Sequence, residues 1–148
     1  MTQDNDPLAM PANEVDTRFP RLAPDRNYRM IIRSPEVVAG KKDPEARMLA
    51  FKLETTTDTR DTDGGKLNVG FRFTHRVTVT PSENRDIEMI KKDLALLLKS
   101  AGLASISIRS VLDDPSQLEG KLVDVKVGVQ KERDGFPESN TARFIPPA

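Results

Sequence analysis

The stretch Lys66 to Thr80, KLNVGFRFTHRVTVT, constrains the fold of this chain more than any other. Leu67, Val69, Phe71, Phe73, Val77 and Val79 share one parity, interrupted only by His75. Asn68, Gly70, Arg72, Thr74, Arg76, Thr78 and Thr80 share the other. Period-2 alternation predicts one long strand with a buried face and a solvated face. The solvated face has no acidic residue. It sets Arg72 and Arg76 among threonines and a glycine, a surface suited to lie along a polyanion.

Upstream, residues 1–24 read as an acidic arm. Pro7, Pro11, Pro20 and Pro24 interrupt it, and this spacing disfavours helix and sheet alike. It is either a mobile tail or an arm that docks on its own domain or a neighbour, with Phe19 and Leu22 as the anchors. From Asn27, Tyr28, Met30 and Ile32 alternate with Arg29, Ile31 and Arg33 in a first strand that Pro35 ends or bends. Ala39 to Glu45 is a turn bearing Lys41 and Lys42. A second strand follows from Ala46, with Leu49, Phe51 and Leu53 inward and Lys52 and Glu54 outward. Thr59 to Gly65 ends in Gly-Gly, a hairpin signal leading into the long third strand.

After Pro81 the period changes. Ile87, Ile90, Leu94, Leu97, Leu98 and Ala101 recur at helical spacing, with Ser82 or Asn84 available as a cap. Gly102 and Leu103 fit the left-handed terminus of such a helix. Residues 104–120 form a connector with a short helical turn near Asp113, Asp114 and Pro115. A fourth strand starts at Lys121, with Val123, Val125, Val127 and Val129 inward. Asp134-Gly135 marks a turn, and Asn140 to Ile145 is a short fifth strand.

Length and composition exclude several classes of function. A chain of 148 residues is one domain able to bury a core. With 23 basic and 23 acidic residues, any nucleic-acid role has to come from local segregation of charge. The absence of cysteine removes disulfides, thiolate metal sites and cysteine nucleophiles, and fits a cytoplasmic protein. No apolar run approaches the roughly 18 residues of a membrane span, and the N-terminus lacks the features of a signal peptide. Asp58, Asp61 and Asp63 look like the start of a calcium loop. Counted from Asp61, the sixth and twelfth positions are Lys66 and Arg72 rather than glycine and glutamate, so the ligand set fails. His75, the one histidine, falls on the inward parity as a core or rim residue. No nucleophile with a base, no phosphate loop, no metal site and no cofactor site is visible, so the chain is read as not an enzyme.

The element order is three strands, a helix and two strands, the order of a five-stranded OB-fold barrel. The expected organisation is mainly β, with a 25–148 OB-fold domain behind the 1–24 arm. Lys91 to Leu103 (KKDLALLLKSAGL), Leu118 to Val129 (LEGKLVDVKVGV) and Asn140 to Pro146 (NTARFIP) extend this reading. Together they resemble the C-terminal half of a phage and prophage family of small proteins described as OB-fold and single-stranded-DNA-binding-like. The resemblance covers about Asn27 to Pro146, with its specific matches after Lys91. It implies the fold and DNA binding, and, if the protein is phage-encoded, a place in the host cytoplasm.

In OB-folds the ligand lies across strands two and three, flanked by the first-to-second and fourth-to-fifth strand loops. Assigned to this chain, that face comprises Lys52, Arg72 and Arg76, with Lys41 and Lys42 in one loop and Lys131 and Arg133 in the other. Phe136 and Tyr28 are candidate stacking platforms for bases. The expected function is sequence-tolerant binding of single-stranded DNA in phage replication or recombination. The alternative is a non-enzymatic phage structural or protein-interaction module, whose arm contacts a phage protein or a second copy of the chain.

Overall fold

The computed structural model describes residues 6–14, 20–24, 26–40, 45–82, 85–131 and 139–147. Its strands are β1 (Asn27–Ala39), β2 (Arg47–Thr55), β3 (Thr59–Arg60), β4 (Lys66–Leu67), β5 (Arg72–Thr78), β6 (Leu122–Gln130) and β7 (Ser139–Ile145). Helices α1 (Ile87–Ser100) and α2 (Ile108–Asp113) lie between β5 and β6. The main sheet has the order β5-β2-β1-β6-β7, and β3 and β4 form a separate two-stranded ribbon. All four ladders of the main sheet are antiparallel, so its edge strands β5 and β7 run in the same direction.

The alternation predicted from the sequence places the core. Met30, Ile32, Leu49, Phe51, Leu53, Val123 and Val125 are all buried on the concave side of the sheet. Pro35 bends β1 without ending it. Ser34 takes a positive φ of 54°, and the β1–β2 register shifts between Arg33 and Glu36. Such a bulge accommodates a residue that has no N–H to give the ladder. Near the middle of β1, just past its ladder with β6, Gly120 N donates to Ile32 O and Ile32 N to Lys121 O, which continues that pairing.

The long third strand expected from Lys66 to Thr80 is two strands. Between β4 and β5 the chain turns at Asn68–Phe71, where Gly70 has a φ of 92°. Phe71 N donates to Asn68 O, while the Gly70 and Phe71 amides both donate to the buried Thr55 Oγ1. Val69, expected inward, is therefore 58% exposed. The alternation is a regular string of letters, but Asn68 and Gly70 are turn formers and the turn takes precedence.

Helix α1 covers the open side of the sheet. Its cap is Asp86, whose Oδ1 accepts from Met89 N at 2.9 Å, rather than Ser82; Asn84 lies outside the described residues. Ile90, Leu94, Leu97 and Leu98 are buried, and the helix packs against β5, β6 and β7. It ends as its sequence predicts. Leu103 N donates to Leu98 O, Gly102 N to Lys99 O, Gly102 has a φ of 78°, and Leu103 is buried. The connector contributes more than a turn, since Val111 of α2 and Leu118 of the 3-10 turn Pro115–Leu118 both enter the core.

The arm joins the fold at its C-terminal end. Leu22 is fully buried and bridges Asp61, and Ala23 N donates to Arg60 O. Asn140 fixes this segment. Its Oδ1 accepts from Leu22 N at 2.8 Å, and its Nδ2 donates to Leu22 O at 3.0 Å and Gly128 O at 3.2 Å. Phe19, the other expected anchor, lies outside the described residues. Asn140→Ala is expected to cost about 1–3 kcal/mol, because it strands buried backbone groups. Urea unfolding checks this, with a lowered midpoint as the expected result. Among the described residues no helix is long and apolar enough to cross a membrane.

Candidate functional site

Lys52 on β2 and Arg72 and Arg76 on β5 are exposed on the convex face, as the alternation predicts. The register sets Arg72 opposite Glu54, Thr74 opposite Lys52 and Arg76 opposite Ala50. Arg72 Nε donates to Glu54 Oε1 at 2.7 Å, and Arg33 Nε donates to Glu54 Oε2 at 3.4 Å. The Arg72 hydrogen bond, reinforced by the charges of Arg72 and Arg33, holds the Glu54 carboxyl below its ordinary range. Arg72 is thereby neutralised within the face. Glu54 was visible in the sequence as an outward residue, but its position opposite Arg72 is a property of the register.

Lys52 and Arg76 have no ion-pair partner among the described residues. They border a depression of about 320 Å³ over Ala50 and Thr74, with Glu36 at its other side. The small Ala50 side chain opposite Arg76 leaves this space.

The second feature is the seam where the two edge strands meet. No ladder joins β5 to β7, yet their Cα atoms come within 8 Å. Paired strands lie about 4.8 Å apart, so an approach within 8 Å leaves no room for another strand between them. Aromatic rings close it from within. His75 meets Phe144 edge-on at 5.4 Å between centroids, and each packs against Phe51, at 5.5 and 5.9 Å. Burial pushes the His75 imidazole down to about 4, so the ring is neutral at physiological pH.

Outside these rings the seam opens into a cleft of about 600 Å³ between β5, α1 and β7. Val77, Leu96, Ala142 and Phe144 supply its apolar surface. Arg76, Arg85, Lys92 and Arg143 supply four cations against one carboxylate, Asp93, which is paired with Arg85. Arg85 Nε is buried without a partner. Arg143, on β7 at the rim of the cleft, stands directly opposite Lys126 on β6, both exposed and without an ion-pair partner among the described residues. Like charges facing each other across a ladder are destabilising, so this pair does not serve the fold. Lys52, Arg76, Lys92, Arg143 and Lys126 thus mark a basic band that crosses the seam.

No protein-family model matches the chain, and no curated protein matches it.

The other residues singled out in the sequence are not brought into this band. Tyr28 is a correction. Its ring is buried in the core and its hydroxyl donates to Ala23 O at 2.5 Å, so it offers no stacking face. Lys131 is exposed beyond the end of β6, two places along the sheet from β2. Lys41, Lys42, Arg133 and Phe136 lie outside the described residues. Sequence reasoning missed Arg85, Lys92, Lys126 and Arg143. Lys126 and Arg143 carried a signal, since each interrupts a run of strand residues on the outward parity. Arg85 and Lys92 carried none, because only the packing of α1 brings them to β5 and β7.

Proposed function

We propose that this protein is a non-enzymatic, sequence-tolerant single-stranded-DNA-binding protein. The observation that carries the reading is the unpaired basic band. Lys52 and Arg76 on one side of the seam and Arg143 and Lys126 on the other lack carboxylate partners, in a chain whose net charge is zero. Segregated cations of this kind follow a phosphate backbone without reading its sequence. The strand order supports the reading. If β5 paired with β7, the sheet would close into an OB barrel, whose second and third strands, here β2 and β5, form the oligonucleotide face. The resemblance of Lys91 to Leu103, Leu118 to Val129 and Asn140 to Pro146 to a phage family supports a role in phage replication or recombination, in the host cytoplasm.

Salt-titrated binding to single-stranded and duplex oligonucleotides tests it. The wild type is expected to bind single strands with an affinity that falls steeply with salt. Arg76→Ala with Arg143→Ala is expected to weaken that binding for any sequence. The double variant should flatten the slope of log affinity against log salt by about 1.4, or about 0.7 per lost phosphate contact. Arg72→Ala is expected to change the slope much less, because Glu54 already neutralises Arg72. An unchanged slope in the folded double variant would reject the band as the DNA path.

A protein-interaction module is the second reading. It is favoured by the exposed Leu8 and Met10 in the arm and Leu122 on the sheet. A wild type without salt-dependent affinity for any nucleic acid would select it.

A further inference from the structure

We propose that the seam cleft is a single-nucleotide pocket, which takes one nucleotide out of a bound strand with its base against Leu96 and its phosphate at the cationic rim. This rests on the single-strand reading and adds a specific seat to it. The cleft, at about 600 Å³, is of the size at which proteins bind small molecules, whereas a backbone track on an open sheet face requires no such enclosure.

The chemistry of the lining defines the ligand. The rim carries Arg76, Arg85, Lys92 and Arg143, and its one carboxylate, Asp93, is held by Arg85. An anion is favoured there. Arg85 points to a further acceptor, because its Nε is buried and unpartnered while another of its nitrogens holds Asp93. The floor requires something different. Val77, Leu96, Ala142 and Phe144 are apolar, and His75 beside them is a neutral ring. Inorganic phosphate would use the rim and leave the floor wet, and an uncharged ring would use the floor and leave the cations without a partner. A nucleotide has both parts, and every base has a flat face that can pack on an apolar side chain such as Leu96. The position fits as well. Arg76 and Arg143 belong both to the band and to the cleft, so a strand crossing the seam passes over its mouth.

The test uses the full chain and three probes: dAMP, adenosine and inorganic phosphate, titrated by calorimetry or amide chemical-shift changes. Binding of dAMP is expected to exceed that of each of the other two by about tenfold or more. Lys92→Glu, an exposed helix position, is expected to lower dAMP affinity by a similar factor, and Leu96→Ala to lower it while sparing phosphate binding. An oligonucleotide carrying one 2-aminopurine is expected to change its fluorescence on binding, and Leu96→Ala should reduce the change. Equal binding of phosphate and dAMP would overturn the proposal, because the base would then have no seat. Salt-dependent oligonucleotide binding with no dAMP binding and no 2-aminopurine response would also overturn it and leave the single-strand reading standing. Binding of dAMP without any oligonucleotide binding would keep the pocket and overturn that reading instead.

Discussion

Leu97→Ala is expected to lower the unfolding free energy by about 2–5 kcal/mol, the usual range for truncating a buried leucine. Leu97 has no exposed surface and belongs to the same core as Phe51, Val123 and Val125. Its position makes the upper part of that range the expected one. The sheet edges β5 and β7 share no hydrogen bonds, and α1 packs against both. A cavity under the helix weakens its packing on both edges as well as the local contacts. Urea unfolding gives the measurement, with a lower midpoint and an unchanged m-value as the expected signature. A loss below about 1 kcal/mol would mean that the leucine stripe does not seal the sheet, and the account of the seam would fall with it.

The second large effect is a loss of stability in mild acid that belongs to one residue. The folded state lowers the His75 pKa from its ordinary 6.5 to about 4, by burial. An unfolded chain therefore takes up a proton on His75 below pH 6.5, and the folded chain does so only near pH 4. The contribution is fully present above pH 6.5 and is lost progressively as the pH falls to about 4, where the loss amounts to roughly 3 kcal/mol. Glu54 and Asp58 are held below their ordinary ranges, Glu54 by Arg72 and Asp58 by the Val69 amide. Their losses come at lower pH, as those carboxylates protonate. His75→Phe keeps a ring against Phe51 and Phe144 and has nothing to titrate. It is expected to flatten the stability profile between about pH 6.5 and 4.5 while leaving stability above pH 7 nearly unchanged. The same slope in wild type and variant would remove His75 as its source.

Much of the fold was legible because burial leaves a period. Leu49, Phe51 and Leu53, Val123, Val125 and Val127 of β6 and Leu94, Leu97 and Leu98 of α1 lie where their spacing places them, whereas Val129 is half-buried and Ile87 is exposed. The Gly102–Leu103 terminus was equally legible, since a left-handed position and a buried residue after it are local requirements. The third strand was misread for the same reason. Period 2 continues through Asn68, Val69 and Gly70, and periodicity alone does not see the Thr55 hydroxyl that receives the turn's amides.

The candidate site was half legible. The outward positions of Lys52, Arg72 and Arg76 follow from parity, a local property of an extended chain. Whether such a cation is free depends on what stands opposite, which parity does not tell. Glu54 neutralises Arg72 across a ladder, whereas Arg76 meets Ala50 and stays unpaired.

The amino-acid sequence by itself determined the five main-sheet strands and the helix α1 between them, most of the inward residues of β1, β2, β6 and α1, how α1 ends and that the chain has no cysteine chemistry. These follow from spacing, side-chain volume and residue type. The tertiary structure alone decided that Leu22 is pinned by Asn140, that Tyr28 is core, that β5 and β7 approach without pairing, and that cations from β5, β7 and α1 converge on one cleft. The physical reason is distance along the chain. Asn140 is 118 residues from Leu22, and such pairings are set by register and by the curl of the sheet, which no local pattern encodes.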